Sequence, residues 1–230
     1  MNETLLQAAA LIIPLIFAIV FHEVAHGYVA KLLGDPTADE QKRLSLNPLR
    51  HVDPLGTVIL PGMLALLKAP VFGWAKPVPV NKWRLRNPRV GMMLVAAAGP
   101  GMNLVMAAVG AVLLGAVWRP YAGMQEPSGL AGFIAENLKN FLQLNVFLAL
   151  FNLLPIPPFD GSHILEGLLP QRLGQIYAKF RRQGFAIVIV LLVVLPWLMP
   201  SFDPVGKLVG PPFAWMLSHY ARLAVAVAGI

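Results

Sequence analysis

The chain has 230 residues, of which 57% are hydrophobic and only 13% are charged, and it contains no cysteine. So apolar a composition lies outside that of soluble globular domains and predicts a protein whose solvent is lipid. Without thiols, disulfides and thiolate metal sites are excluded, so any metal must be held by His, Asp or Glu. The net charge of +7 does not predict nucleic-acid binding, because Lys and Arg mark the cytoplasmic face of membrane proteins.

Apolar stretches divide the chain into candidate membrane segments. Those at 5–33, 90–118, 184–199 and 212–230 approach the ~20 residues that a helix needs to cross hydrocarbon. The stretch 130–154 begins amphipathic and becomes apolar, which is typical of a tilted or partly buried helix. The sequence therefore predicts an all-α, polytopic membrane protein, formed by a single domain over residues 1–230.

The apolar stretch 55–67 is shorter than the others. Its 13 residues would form a helix of about 20 Å, whereas the hydrocarbon core is about 30 Å thick. If it does not cross, 14 of the 18 basic residues lie on one side, in 31–53, 68–89 and 155–183. Because cytoplasmic loops collect Lys and Arg, we expect five crossings plus a re-entrant element, with six full crossings as the alternative.

The segment 73–81, GWAKPVPVN, lies between the first crossing and the next full one. Pro77 and Pro79 each lack a backbone N–H and push the preceding residue toward extended geometry. The segment is therefore predicted to be strand-like or a loop. At membrane depth such backbone must be satisfied by protein or water, so we expect it to pack near a functional site.

The most informative motif is HEVAH, at residues 22–26. A spacing of four places His22 and His26 on one face of a helix, where both imidazoles can bind one metal ion. Glu23 then lies beside the metal, where a carboxylate can take a proton from water. Because ionisable groups are costly in an apolar helix, we interpret them as a metal site and not as unpaired structural residues.

A catalytic zinc site needs a third protein ligand. Asp160 is the leading candidate, because it follows a run of prolines that must end a membrane helix and leave unwound backbone. His51 and His163 are further candidates by residue type, but we expect both to be solvated or second-shell groups. Gly99 and Asn103 predict close helix packing, with the Asn bonding across helices.

Three of these elements occur together and in order: HEVAHG at 22–27, AGPGMN at 98–103 and NLLPIPPFDG at 152–161. With HVDPLG at 51–56 and the segment 73–81, they resemble the site-2 protease family of intramembrane zinc metalloproteases. The resemblance covers most of the chain and is to the compact members without PDZ or CBS domains. The distant N-x-x-P-x-P-x-x-D-G element makes it specific.

The resemblance implies that His22, His26 and Asp160 bind one zinc ion per chain. It implies Glu23 as general base and acid, and Asn152 as a polar group near the substrate or the oxyanion. It also implies a multi-pass protein in the lipid bilayer with a cytoplasm-facing site, which cuts membrane-protein substrates in or near their transmembrane segments. The sequence assigns no oligomeric state.

Two functions from different classes follow from these residues. The first is an intramembrane zinc metalloendopeptidase engaged in regulated intramembrane proteolysis. The alternative is a non-proteolytic membrane metal transporter or sensor, because intramembrane His and Asp also line ion pathways. The peptidase is favoured, since a transporter should carry polar residues along several helices to both faces, whereas here they concentrate near one side.

Overall fold

A computed structural model describes residues 3–66, 73–122, 126–180, 183–199 and 202–229. Within these ranges the chain is helical and contains no β-strand, as the sequence predicts. Short turns of 3₁₀ helix lie at Pro48–His51, Lys82–Arg84 and Arg119–Tyr121, and π-helical turns at Pro54–Ile59 and Val190–Val194. The α-helices, in chain order, are α1 (Glu3–Leu32), α2 (Thr37–Glu40), α3 (Leu60–Leu66), α4 (Pro88–Trp118), α5 (Gly129–Asn152), α6 (Asp160–Leu168), α7 (Gln171–Phe180), α8 (Gly184–Ile189), α9 (Leu195–Leu198) and α10 (Pro204–Ala228).

Two of the described helices are long and apolar enough to cross a membrane, over Leu5–Leu32 and Pro88–Tyr121. Only 28% of the most apolar window of each is buried within the protein. Large apolar side chains such as Phe17 and Val105 are exposed, which suits contact with lipid, since a soluble protein seldom exposes so many together. These two helices fit a membrane protein, and the larger number of crossings stays a prediction.

The remaining apolar stretches form helices of different lengths. α5 covers the predicted segment 130–154 except its last two residues, and α10 begins earlier than predicted, at Pro204. The run Gly184–Leu198 is continuously helical through α8, a π-helical turn and α9, but 15 residues at about 1.5 Å each reach only about 22 Å. In the segment 55–67, the described residues form the π-helical turn and α3.

The chain divides into two compact units, and α1 and α4 each contribute to both. The first unit contains residues 1–18, 100–153 and 205–230. Its apolar core joins α4, α5 and α10 through small side chains that let the helices approach closely. The buried members of this core are Ala107, Ala111, Leu142, Val146 and Ala224.

The second unit contains residues 19–99 and 154–204. Its core of Ala30, Leu85 and Val95 packs the end of α1 against the start of α4. The predicted strand-like segment 73–81 is neither helix nor strand, and is held here by hydrogen bonds to other parts of the unit. At its end the buried carboxylate of Asp35 accepts a 2.6 Å hydrogen bond from the backbone N–H of Asn81.

Candidate metal centre

Both histidines of the HEVAH motif lie on one face of α1 in the second unit. Both residues are almost completely buried, with exposures of 7% for His22 and 8% for His26. Their Nε2 atoms are 3.0 Å apart, and the rings meet edge to face. The i, i+4 spacing therefore places both nitrogens at one point, as the sequence predicts.

Asp160 is the first residue of α6 and joins the two histidines. Its Oδ2 atom lies 3.1 Å from Nε2 of His22 and 3.3 Å from Nε2 of His26. Burial acts to raise the pKa of the Asp160 carboxyl, but hydrogen bonding and attraction to the two imidazoles lower it to about 2. The group is therefore an ionised carboxylate at neutral pH, which is the form that binds a metal.

The distances among these three atoms fit a zinc ion. Ligand bonds of about 2.0–2.1 Å in a tetrahedron place neighbouring ligand atoms about 3.3 Å apart. The separations of 3.0, 3.1 and 3.3 Å are close to one face of such a tetrahedron. Three protein ligands would leave the fourth position for water or substrate, which is the arrangement of a catalytic and not of a structural zinc site.

The tautomer of His26 is fixed by a second hydrogen bond. Its Nδ1 lies 2.7 Å from the carbonyl oxygen of Val95 on α4. A carbonyl can only accept, so Nδ1 carries a proton, and in the neutral imidazole it is Nε2 that has the lone pair for a metal. Within the described residues, His22, His26 and Asp160 are the one group of three side chains whose ligand atoms converge in this way.

Helix α4 approaches the centre at Gly99. A Cβ atom at this position would lie 2.5 Å from Nε2 of His26 and 2.6 Å from Cε1 of His22. Both distances are below any real carbon contact, so only glycine fits beside the two rings. The close approach that the AGPGMN sequence predicts is confirmed at this residue.

Glu23 makes a contact that the sequence analysis missed. Its Oε2 atom accepts a 2.8 Å hydrogen bond from the backbone N–H of Val78, in the segment 73–81. The carboxylate is thus bonded to the segment that was expected near a functional site. The sequence holds a signal for this contact, because between Pro77 and Pro79 the amide of Val78 is the sole N–H.

Asn152, at the last residue of α5, belongs to the first unit. One N–H of its side-chain amide donates a 2.9 Å hydrogen bond to the carbonyl of Leu148, one turn back on the same helix. Its role near a substrate stays a prediction. α5 ends here and α6 begins at Asp160, so the helix break predicted at the prolines is confirmed.

The structure shows the surroundings of three polar residues to which the sequence assigned no definite role. His51 is only 3% exposed, and its Nε2 lies 2.8 Å from the carbonyl of Ser45, so the expectation of a solvated residue is wrong, while a role in supporting a metal ligand stays a prediction. Its burial contrasts with Pro48, Leu49 and Arg50 of the same turn, which are exposed. His163, on α6, lines a cavity of about 310 Å³. Asn103 is fully buried in the first unit and bonds to Ala18 and Asn145, which confirms its packing role.

Comparisons with known proteins agree with this geometry. The sequence profile described as peptidase family M50 matches residues 122–195. A relative named as a zinc metalloprotease, YwhC of Bacillus subtilis (strain 168), is 40% identical over 183 residues, which is 80% of each chain. The chain belongs to peptidase family M50. It is a membrane metalloprotease, and its cofactor is Zn²⁺, so the family decides against a metal transporter or sensor.

More distant relatives carry the same description. Rip2 of Mycolicibacterium smegmatis, also named as a zinc metalloprotease, is 31% identical over 178 residues, which is 77% of this chain and 64% of the relative. MJ0611 of Methanocaldococcus jannaschii is 38% identical over 72 residues, or 31% of this chain and 32% of its own. No solved structure matches the chain. This M50 protease therefore acts on a peptide or protein substrate.

Proposed function

We propose that this M50 protease is an intramembrane endopeptidase that cuts membrane proteins in or near their transmembrane segments. The observation that carries the proposal is that the imidazoles of His22 and His26 on α1 and the carboxylate of Asp160 on α6 converge at one point. α1 is itself one of the two helices apolar enough to cross a membrane. A hydrolytic centre on such a helix suits a substrate that resides in the same bilayer.

We assign His22, His26 and Asp160 as the ligands of one zinc ion per chain. An ion bound there supplies Lewis acidity for the scissile carbonyl and lowers the pKa of water to about 7. Glu23 takes the proton of the attacking water and later returns it to the leaving amine. One N–H of the Asn152 side-chain amide donates to the carbonyl of Leu148. We propose that its second N–H donates to the developing oxyanion.

The basic residues support a cytoplasm-facing site. The loops that hold most of the Lys and Arg also contain the segment 73–81 and Asp160, and Arg and Lys favour the cytoplasmic side. On this basis we assign five crossings plus a re-entrant element at 55–67, in a multi-pass membrane protein that would lie in the cell membrane of a prokaryote. The alternative of six crossings would place the cluster 68–89 outside, against the charge bias.

The substrate must present an accessible peptide bond. A transmembrane helix bonds its own amides, so it has to unwind before hydrolysis. Pro77 and Pro79 favour extended backbone in the segment 73–80, which could then pair with unwound substrate in the way that a sheet edge pairs with a peptide. We therefore propose regulated intramembrane proteolysis of a membrane-protein substrate as the biological activity.

The proposal is tested by Glu23→Gln. The variant keeps the size of the side chain but cannot accept a proton, so we expect cleavage of a single-span reporter protein in liposomes to fall by at least about 10²-fold to 10⁴-fold. Zinc content should stay near one ion per chain. Glu136→Gln, which changes an exposed side chain in the first unit, is the matched control and should cleave normally. Full activity of Glu23→Gln would contradict the mechanism.

A further inference from the structure

The segment 73–81 is fixed to the second unit at several points. The backbone N–H of Trp74 donates to the carbonyl of Gly56 at 3.1 Å, and that of Lys76 to the carbonyl of His51 at 2.9 Å. The Arg43 guanidinium donates to the carbonyl of Lys76 at 2.8 Å. With Asn81 bonded to Asp35, both ends are tied, so the residues between them have little freedom.

Within this segment, Val78 is the residue that meets Glu23. Its backbone N–H lies 2.8 Å from Oε2 of the carboxylate. Pro77 and Pro79 carry no N–H and restrict the backbone to extended geometry. The direction of the Val78 amide is therefore set by the covalent structure of the Pro-Val-Pro sequence, at little further cost in conformational entropy.

The side chain of Val78 packs where Gly27 leaves room. Gly27 lies one helical turn after Glu23, so the two residues share one face of α1. A Cβ at Gly27 would be 2.7 Å from Cγ1 of Val78 and 2.5 Å from Cδ2 of Leu44. The terminal methyl of Leu44 can rotate away, but valine is stiff at χ1 and would have to move together with its backbone.

We propose that the backbone amide of Val78, seated by Gly27 and the flanking prolines, is a positioning group for Glu23. The hydrogen bond engages one carboxylate oxygen and leaves the other, Oε1, to take the proton of the attacking water. Bonds from an amide to a carboxylate are stronger than neutral ones, so the orientation is well held. The inference rests on the proposed role of Glu23 as general base and adds the backbone group that orients its carboxylate.

The direct test removes the N–H alone. Replacing Val78 by its α-hydroxy acid analogue during translation converts the amide to an ester and keeps the side chain. We expect kcat on the single-span reporter to fall by about 10-fold to 100-fold, because small misplacements of a catalytic group cost about this much. KM and zinc content should stay within about threefold of the wild-type chain, because the Val78 N–H bonds Glu23 and is therefore not used to pair with substrate, and no metal ligand changes.

A second test changes a side chain on α1 to disturb the same contact between Val78 and Glu23. Gly27→Ala should lower kcat by pushing Val78 outward, and the double variant Gly27→Ala with Val78→Ala should recover most of the loss. Gly210→Ala on α10, where a Cβ meets nothing within 4 Å, is the matched control. The ester variant keeps the test decisive where Gly27→Ala fails to fold.

Two outcomes would overturn the inference: an ester variant with wild-type kcat, or one that loses zinc, since the contact would then support the metal site instead of the base. Failure of the proposed function would look different. In that case the wild-type chain would not cleave the reporter, or Glu23→Gln would cleave it as well as wild type.

Discussion

Two buried polar clusters, one in each unit, differ in how their hydrogen-bonding atoms are arranged. In the first unit, the Asn103 amide donates to the carbonyl of Ala18 at 3.1 Å and to Oδ1 of Asn145 at 2.8 Å, while Asn145 donates to the carbonyl of Phe141 at 2.8 Å. In the second unit, Nε2 atoms of two histidines and a carboxylate oxygen face one another. The first cluster pairs amide donors with carbonyl acceptors, whereas the second brings three potential metal-ligand atoms to one point.

The difference separates a structural from a chemical use of buried polarity. In a network of paired amides, each buried donor has an acceptor within the protein, and these bonds fix helix packing in an apolar medium. Ligand atoms that converge in this way need positive charge between them, either a proton shared by the imidazoles and the Asp160 carboxylate or a metal ion, and a set of two imidazoles and one carboxylate suits a metal ion. Burial of a polar residue does not by itself indicate function, but the direction in which its lone pairs point does.

The largest effect should follow from removing a convergent acceptor. Asp160→Asn keeps the shape but loses the negative charge. Changes in outer-shell partners alone cost about 10-fold to 100-fold in metal affinity, and we expect the loss of a ligand to exceed that. Dialysis against a weak chelator followed by metal analysis should find little zinc and no cleavage. Asp39→Asn, an exposed carboxylate paired with Lys31 at 2.8 Å, should retain zinc, and a fully loaded Asp160→Asn would refute the assignment.

A smaller effect is expected from the paired cluster, and on stability instead of zinc. Asn103→Leu leaves Oδ1 of Asn145 without its donor, which should lower the free energy of unfolding by about 1–2 kcal/mol. The double variant Asn103→Leu with Asn145→Leu should lose less than twice as much, because both polar groups are then gone. Detergent-induced unfolding measures this difference. Loss of zinc from a folded Asn103→Leu chain would remove the contrast between the clusters.

The smallest effect should come from an exposed charge pair in the second unit. Glu40 binds Arg84 through contacts of 2.6 and 2.7 Å, and this hydrogen-bonded guanidinium lowers the pKa of the Glu40 carboxyl. The stabilisation is therefore present above the ordinary Glu pKa of about 4.3 and is lost as the pH falls through the lowered value. Glu40→Gln should reduce the thermal midpoint slightly at pH 7 and not at pH 2. A difference that grew on acidification would contradict this sign.

Local spacing made part of the site predictable. The turn of an α-helix brings His22 and His26 together whatever surrounds them, and a run of prolines must interrupt a helix before Asp160. The packing roles of Gly99 and Asn103 also followed from residue type, since small and amide side chains serve close helix contacts in lipid. These features depend on covalent geometry and on the solvent, both of which the sequence specifies.

Other contacts depend on where distant segments meet. The carbonyl of Val95 that orients His26, and the amide of Val78 that bonds Glu23, lie 69 and 55 residues away along the chain. Carbonyls occur at every residue, so no pattern of side chains marks that of Val95, and the flanking prolines single out the Val78 amide without indicating that it meets Glu23. The burial of His51 was missed for the same reason, because the packing of neighbouring chain around it is not a local property.

The sequence by itself determined the lipid solvent, the helical class and the histidine pair, because composition and periodicity carry that information, and the proline run together with the family resemblance pointed to Asp160. Only the tertiary structure decided that the three ligand atoms lie 3.0–3.3 Å apart, that Gly99 and Gly27 admit their neighbours, and that a backbone amide bonds Glu23. Those facts result from packing at distances of tenths of an ångström, where one methyl group is enough to exclude an arrangement.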